Sequence, residues 1–382
     1  METIEALHKK NTNKEAAHTF FVPGCVALLG EYTEEQGGPA LMVATEQGIL
    51  GAISGAKDQS IKIYFDALEN NEVLIDIKNP LALESPYLVR LMQATFLKLQ
   101  KEDCAFKEGL EITLSSTLKP LFNYHLDSAM VALIMTLVTK QLNKHVAFDK
   151  ICKFSDAVFT DYLQLPTRHN ALTTQFFAEK DTVLAIHPYE KKHQTIPFQF
   201  KDKTLVVFAP HKTHDEMHAT YKDRLKNLKA ASEFYMNHRP IKYLAAVSVE
   251  DFNKFKHQLT PENRVRYAEH IIFETARYKD VVEMIEDNEF NWFADYINES
   301  QKTVEHMFDY VTTDLKYIID MLKTDAVRAA RISNKTFSQL VVGYFEKESN
   351  KFIEDIQLRY QRMYKKELET IILRPSAGAI KK

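Results

Sequence analysis

Apolar and polar positions follow two different rhythms along this chain. From Thr19 to about Phe65, short apolar runs are broken by glycine: FFV, CVALL, LMVA, GILGAISGA, and then the period-two stretch SIKIYF. Side chains of a strand point alternately to its two faces, so these runs predict strands of one sheet. Within them, Phe20 to Leu41 reads as a strand entering a turn at Pro23-Gly24, a short apolar strand over Val26 to Leu29, and an acidic loop closed by Gly37-Gly38. Such a loop brings backbone close to a ligand or to another chain segment; the alternative is a hairpin with a solvated acidic tip. Residues 1–18 read as a polar helix or arm. Helical spacing appears at Pro86 to Lys101, at Asp127 to Leu142 with Asp127 as N-cap, and at Phe148 to Leu163. Strands are predicted at Leu110 to Leu118, Thr182 to His187 and Thr204 to Ala209.

After about Thr213 the helical rhythm dominates. Helices are predicted at His214 to His238, Val249 to His257, Asn263 to Glu286, Phe290 to Met307, Val311 to Lys323 and Glu346 to Tyr364. A strand at Gln339 to Phe345 interrupts them, and a strand and turn at Glu369 to Ala379 close the chain. An α/β first half followed by an α-rich second half predicts two domains.

Composition narrows the function classes. With 382 residues, 45% hydrophobic and 26% charged, the chain suits a soluble globular protein with a sizeable core. Lys+Arg 49 against Asp+Glu 52, without a polybasic block, argues against a nucleic-acid partner. Cys25, Cys104 and Cys152 lie far apart and suggest neither a disulfide frame nor a zinc knuckle, which fits a reducing compartment. The first residues lack a signal-peptide apolar region, and the longest apolar run, near Met130 to Val138, is too short to cross a bilayer. The expected place is the cytoplasm, with no membrane partner. His214 and His218, with His211 nearby, have the spacing of a zinc pair, but no third ligand is in sight; a solvated helix start is expected and no metal. Seven of the ten glycines lie between Gly24 and Gly55, and none between Gly109 and Gly343, so no ordinary phosphate loop is hidden there.

Pro23-Gly24, Leu29-Gly30-Glu31, Thr33 and Gly37-Gly38 resemble the first signature of galactokinases, P-G-R-V-N-L-I-G-E-H-T-D-Y-N-G-G, in the GHMP small-molecule kinase superfamily. Ala219 to Leu228 resembles the family's S-x-Y-N-x-R segment, and Arg266 to Leu322 its long helical region. Asn298-Glu299-Ser300-Gln301 stands where the family has N-E-S-H, and Arg374 to Ala379 resembles its end. The match spans nearly the whole chain. It implies an α/β (α+β) two-domain GHMP kinase fold: a mixed-sheet domain over 1–200 with a return of 365–382, and a helix-over-sheet domain over 201–364.

The family's chemistry is less well matched. Its phosphate loop falls on Lys119 to Met130, where Phe122 and Tyr124 replace the glycines around Asn123, and Asp127 takes a serine position before Ser128 and Ala129. Bulky side chains there fill the nucleotide's space, and a carboxylate at a helix start repels phosphate. The catalytic Asp falls on Thr174 and the Arg of P-G-R on Cys25, neither of which replaces the charge lost. Arg168 and His169 are read as loop residues rather than substitutes. The last glycine motif falls on Asn334 to Gln339, with only Phe337 kept. The resemblance therefore implies no retained catalytic residue and no cofactor, with Mg-ATP required only if the chain is an atypical sugar kinase. It places the sugar side on Glu31, Tyr32, Glu34, Gly38 and Tyr221; the competing reading makes Glu31 a buried packing acid and Tyr221 a core aromatic. Phe20, Phe21, Phe122, Tyr124, Phe176 and Phe177 sit in or beside these motifs and either fill the cleft or pack in the core. Three functions remain open: a galactokinase-like protein without kinase activity that binds a galactose-like sugar or a protein partner, an atypical ATP-dependent sugar kinase, or a structural subunit paired with an active paralogue.

Overall fold

A computed structural model describes residues 2–76, 78, 81, 84–102, 108–117, 124–198, 204–210, 218–307, 311–323, 327–333, 340–345 and 350–381. The glycine-broken apolar runs form two long antiparallel strands, β1 (His18–Leu29) and β2 (Ala40–Ala56). The pairing shifts register between Pro23 and Cys25 and again between Ala27 and Leu29. Pro23-Gly24 is thus a bulge inside one strand, not the expected turn; a bulge tolerates the absence of the N–H donor that proline lacks.

The first sheet has the order β12–β1–β2–β5–β3–β4. β5 (Gly109–Ser116) pairs β2 antiparallel and β3 (Ile61–Phe65) parallel, and β4 (Glu72–Leu74) forms the edge. A hairpin of β6 (Thr182–His187) and β7 (Lys192–Pro197) joins the sheet through β2 at Ala40 to Met42. Helices α1 (Ile4–Thr12), α2 (Tyr87–Lys101), α3 (Leu126–Gln141), α4 (Phe148–Ala157) and α5 (His169–Phe177) belong to this half. Apolar nearly all round, α3 is buried and packs on β1 and β2, as such a helix must. Its N-cap is His125, in the left-handed region at φ 55°, so Asp127 lies in the first turn and is not the expected cap.

The second sheet is fully antiparallel, β11–β8–β10–β9, from β8 (Thr204–Pro210), β9 (Val327–Ser333), β10 (Leu340–Phe345) and β11 (Leu368–Leu373). Around it stand α6 (His218–His238), α7 (Val249–Phe255), α8 (Glu262–Glu286), α9 (Phe290–Met307), α10 (Thr313–Leu322) and α11 (Asn350–Tyr364). Of the return expected over 365–382, β11 stays in this second sheet. The tail beyond it comes back: Ser376 N donates to Ala44 O (3.0 Å), and β12 (Ile380–Lys381) pairs β1. The main core is continuous from Val22 and Ile49 through Val207 to Phe293 and Tyr344, so both sheets share one apolar interior. A second cluster joins Tyr32 to Tyr235, Phe252 and Ile271, and a third packs Phe208, Ile318 and Tyr360. Among the described residues no helix is long and apolar enough to cross a membrane.

Candidate functional site

The acidic loop after β1 is held by its own backbone and by the second half of the chain. Thr33 Oγ1 donates to Gly30 O (2.8 Å) and to Pro39 O (3.1 Å). Gly37 has φ 79°, and a Cβ there would lie 2.4 Å from the Tyr243 ring; a Cβ on Gly38 would lie 2.4 Å from that of Thr33. The close approach expected of the glycines is therefore to other chain segments. Tyr32, at φ 65°, is buried in the second core cluster and meets His270 edge-on.

Glu31 is buried against Arg331 of β9, whose guanidinium also donates to Leu28 O (2.6 Å) and lies 3.5 Å from Glu274 of α8. Glu274 accepts from Gly30 N (3.0 Å), Ser300 Oγ (2.7 Å) and Arg277 Nη1 (3.0 Å). Burial alone would raise the Glu274 pKa; Arg331, His270 and Arg277 outweigh it and hold the group at about 2. Burial lifts Glu31 above the usual carboxylate range, with Arg331 opposing and Glu274 adding to the rise. His270 bridges Glu31 O (3.1 Å) and Thr303 Oγ1 (3.1 Å), and burial lowers its pKa to about 4. Asn298 to Gln301 tie α9 to β9: Asn298 Nδ2 donates to Arg328 O (2.9 Å), and Gln301 Oε1 accepts from Ile332 N (2.7 Å). None of Arg331, Glu274 and His270 was singled out from sequence. The signal was present in His270, Glu274 and Arg277, which share one face of α8 at helical spacing.

Glu34 Oε1 accepts from His169 N (2.8 Å), Asn170 N (3.4 Å) and Thr167 Oγ1 (3.2 Å). A carboxylate from a distant loop thus satisfies the free amides of α5 and complements its dipole. Cys25 packs against that helix, and Thr174 belongs to it. Cys25 is fully buried among Ala27, Met42, Ala171 and Leu184, with Sγ 3.8 Å from Ala171 O. Burial, then the Asp127 and Glu34 charges, push its thiol well up, so it is neutral. Thr174 is fully buried and donates to Asn170 O (2.8 Å).

At the start of α3, Asp127 pairs with Arg168 (Nη2–Oδ2 3.1 Å), with both side chains almost sealed from solvent. Oδ2 also accepts from Tyr87 OH (3.3 Å), and Oδ1 from Ser128 N (2.8 Å). Burial works against the charge, but Arg168 and His125 hold the Asp127 carboxyl below its usual range. Arg168 is therefore not the loop residue expected; it is the buried N-cap residue of α5, set over the Phe159 ring. Ser128 Oγ donates to His125 O (2.8 Å) and Gln175 Oε1 (3.2 Å). Tyr124 is buried in the main core, and its hydroxyl has no hydrogen-bond partner among the described residues. Phe20 and Phe176 pack at the edge of that core, whereas Phe177 is exposed and stacks on His193. Phe122, Asn123, Asn334 to Gln339, His211 and His214 lie outside the described residues, as do the side chains of His218 and Tyr221.

Comparison with known proteins shows what these features resemble. Residues 6–55 match a family model described as the galactokinase galactose-binding signature. Galactokinase of Streptococcus thermophilus is 21% identical over 359 residues, covering 92% of this chain and 90% of that protein. Galactokinase of Staphylococcus saprophyticus is 22% identical over 361 residues, covering 92% of each. Among solved structures, Lactococcus lactis galactokinase complexed with galactose superposes with a TM-score of 0.89 at 16% identity, covering 99% of both chains. Methanococcus jannaschii mevalonate kinase superposes at 0.60 with 15% identity, covering 94% of this chain and 98% of that one. With the mixed α/β architecture of two sheets, these likenesses show a chain similar to galactokinases along nearly its whole length and sharing the fold of the L. lactis enzyme.

Proposed function

We propose that this galactokinase-like chain does not transfer phosphate and acts by binding a galactose-like sugar or a protein partner. One observation carries the reading: Cys25 and Thr174, on which the family's arginine and aspartate fall, are fully buried, Cys25 against α5 and Thr174 within it, and carry no charge. Phosphoryl transfer to a hydroxyl is helped by a group that takes its proton and a cation that stabilises the transferring charge. A threonine hydroxyl committed to a backbone carbonyl and a neutral thiol supply neither. The sugar half of the reading is supported by the match of residues 6–55 to a galactose-binding signature and by the galactose in the L. lactis galactokinase structure. In the cytoplasm, where this reading places the chain, the buried thiols of Cys25 and Cys152 stay free.

Asp127 and Arg168 favour the second reading, an atypical ATP-dependent sugar kinase, because they put a carboxylate and a guanidinium together at the start of α3. Against it, each neutralises the other, and the carboxylate already accepts bonds on both oxygens. Calorimetric titration with galactose and with Mg-ATP, together with a coupled phosphotransfer assay, separates the two. The first reading expects galactose to bind without turnover, or neither ligand to bind if the partner is a protein. Phosphorylation of galactose that is lost in Arg168→Met would establish the second.

A further inference from the structure

Two patches of opposite charge lie on opposite faces of the second sheet. From Asp280 to Gln301, over the end of α8, the turn and most of α9, the chain carries seven acids and no lysine or arginine. Glu283, Glu286, Asp287 and Glu289 are exposed around the turn and form no ion pair among the described residues. Glu283 and Glu286 stand in the last turn of α8, the negative end of its dipole, where cations are favoured and none is present. Beside them, in the first turn of α9, Trp292 is 61% exposed. The other patch reverses the charge. From Leu358 to Lys366, over the end of α11 and the turn after it, the chain carries four bases and no acid. Arg359 is held by Asp355 (2.8 Å), whereas Arg362, Lys365 and Lys366 form no ion pair among the described residues. Leu358 and Met363 are exposed among them, one helical turn from Arg362 and Arg359. α9 packs through Phe293 and Ile297 on the sheet face that carries Val207 and Val342. α11 packs through Ile356 and Tyr360 on the other face, with Val206 and Val341. Within one chain the sheet therefore separates the two patches.

We propose that copies of this chain associate head to tail, the acidic α8–α9 turn of one seated on the basic end of α11 of the next. Charge selects this occupant, because each patch complements the other and repels its own kind. The exposed apolar side chains fit it too. Trp, Met and Arg are residue types that interfaces concentrate at their centres. A guanidinium stacks on an indole face, and a thioether packs at a ring edge. The contact also brings cations to the carboxyl end of α8, which has none of its own in its last turn. Because the patches lie on opposite faces, a pair closed by a two-fold axis could not use both. A heterologous contact leaves one patch free at each end and continues. The inference goes beyond the proposed function and does not depend on it, because a chain that bound or phosphorylated a sugar could associate in the same way.

The test is sedimentation velocity of the full chain over a concentration series, at about 0.01 M and about 1 M salt, between which the Debye length falls from about 30 Å to about 3 Å. At low salt the mass is expected to pass that of a dimer as concentration rises; at high salt it is expected to return to the monomer. Emission of Trp292, the single tryptophan, is expected to move to shorter wavelength in step with the mass. The variants Glu286→Lys/Glu289→Lys and Arg362→Glu/Lys366→Glu change exposed positions, and each is expected to weaken association about tenfold or more. Mixed, the two variants keep one intact contact, so they should form a pair and nothing larger, which misfolded chains would not do. A monomer at every concentration, as expected if the patches serve other proteins, would overturn the proposal. So would a closed dimer of constant mass, association that survives high salt, a mixture that stays monomeric, or Trp292 emission that does not move. None of these readouts involves a sugar or a nucleotide, so failure here is distinct from failure of the function proposed above.

Discussion

Arg331 decides whether Glu31 is a ligand residue or part of the framework. The guanidinium is fully buried between Glu31 and Glu274 and donates to Leu28 O. Replacing Arg331 with Met leaves both carboxylates buried without that cation. Glu274 keeps Arg277 and Ser300, whereas Glu31 must stay charged in an apolar setting or take up a proton. Removing one partner of a buried ion pair costs about 3–5 kcal/mol, and the upper part of that range is expected because one cation serves two acids. Glu31→Gln is milder, at about 1–3 kcal/mol, since Arg331 retains Glu274. Combining both changes removes the stranded charge at Glu31, so the double variant should be about 2 kcal/mol more stable than the sum of the single losses predicts. Urea unfolding followed by far-ultraviolet circular dichroism measures all three; the single tryptophan, Trp292, is 61% exposed and a poor reporter. An Arg331→Met loss below about 1 kcal/mol, or losses that add within about 0.5 kcal/mol, would refute the reasoning. A Glu31→Gln variant of unchanged stability that no longer bound galactose would make Glu31 a ligand residue after all.

Three further outcomes follow. His270 has a folded pKa of about 4 against about 6.5 unfolded, so the unfolded state binds more protons in that window. Its share of stability is complete above pH 6.5 and falls by up to about 3 kcal/mol by pH 4; His270→Gln should flatten the stability–pH curve there, and an unchanged slope would sink the assignment. Cys25 should resist thiol reagents until the chain unfolds, and Cys25→Arg combined with Thr174→Asp should yield a less stable protein without phosphotransfer, because the new cation enters a sealed apolar cluster and the new carboxylate a fully buried position. Tyr124→Phe removes an unpartnered buried hydroxyl and should leave stability unchanged or raise it by about 1 kcal/mol, as read by the urea midpoint; a loss of that size would show that the hydroxyl has a partner.

The elements that the sequence announced best are those whose faces are simple. The limits of α9 were read correctly to the residue, and α8 and α10 within two, because apolar side chains recur at helical spacing on their core faces. β9 was not foreseen. Its strand VRAARIS carries Arg331 inward, toward carboxylates rather than apolar side chains, so no apolar alternation marks it. Nor was α5, which is rich in Asn and Thr and receives its N-terminal acceptor from Glu34, 135 residues from His169. Asp127 has the look of an N-cap because it precedes an apolar run, yet Arg168, 41 residues away, claims its carboxylate. In each case the deciding contact is long-range and electrostatic, which local pattern cannot show.

The same contacts bear on function. Natural proteins leave charges poorly paired where a ligand or transition state will complete them, and give up some stability for it. Here the acids that sequence marks as site residues are completed by protein: Glu31 by Arg331, Glu34 by the α5 amides, and Asp127 by Arg168. Each pairing joins distant parts of the chain, so the groups stabilise the arrangement of loop, helix and second sheet whether or not a ligand is present.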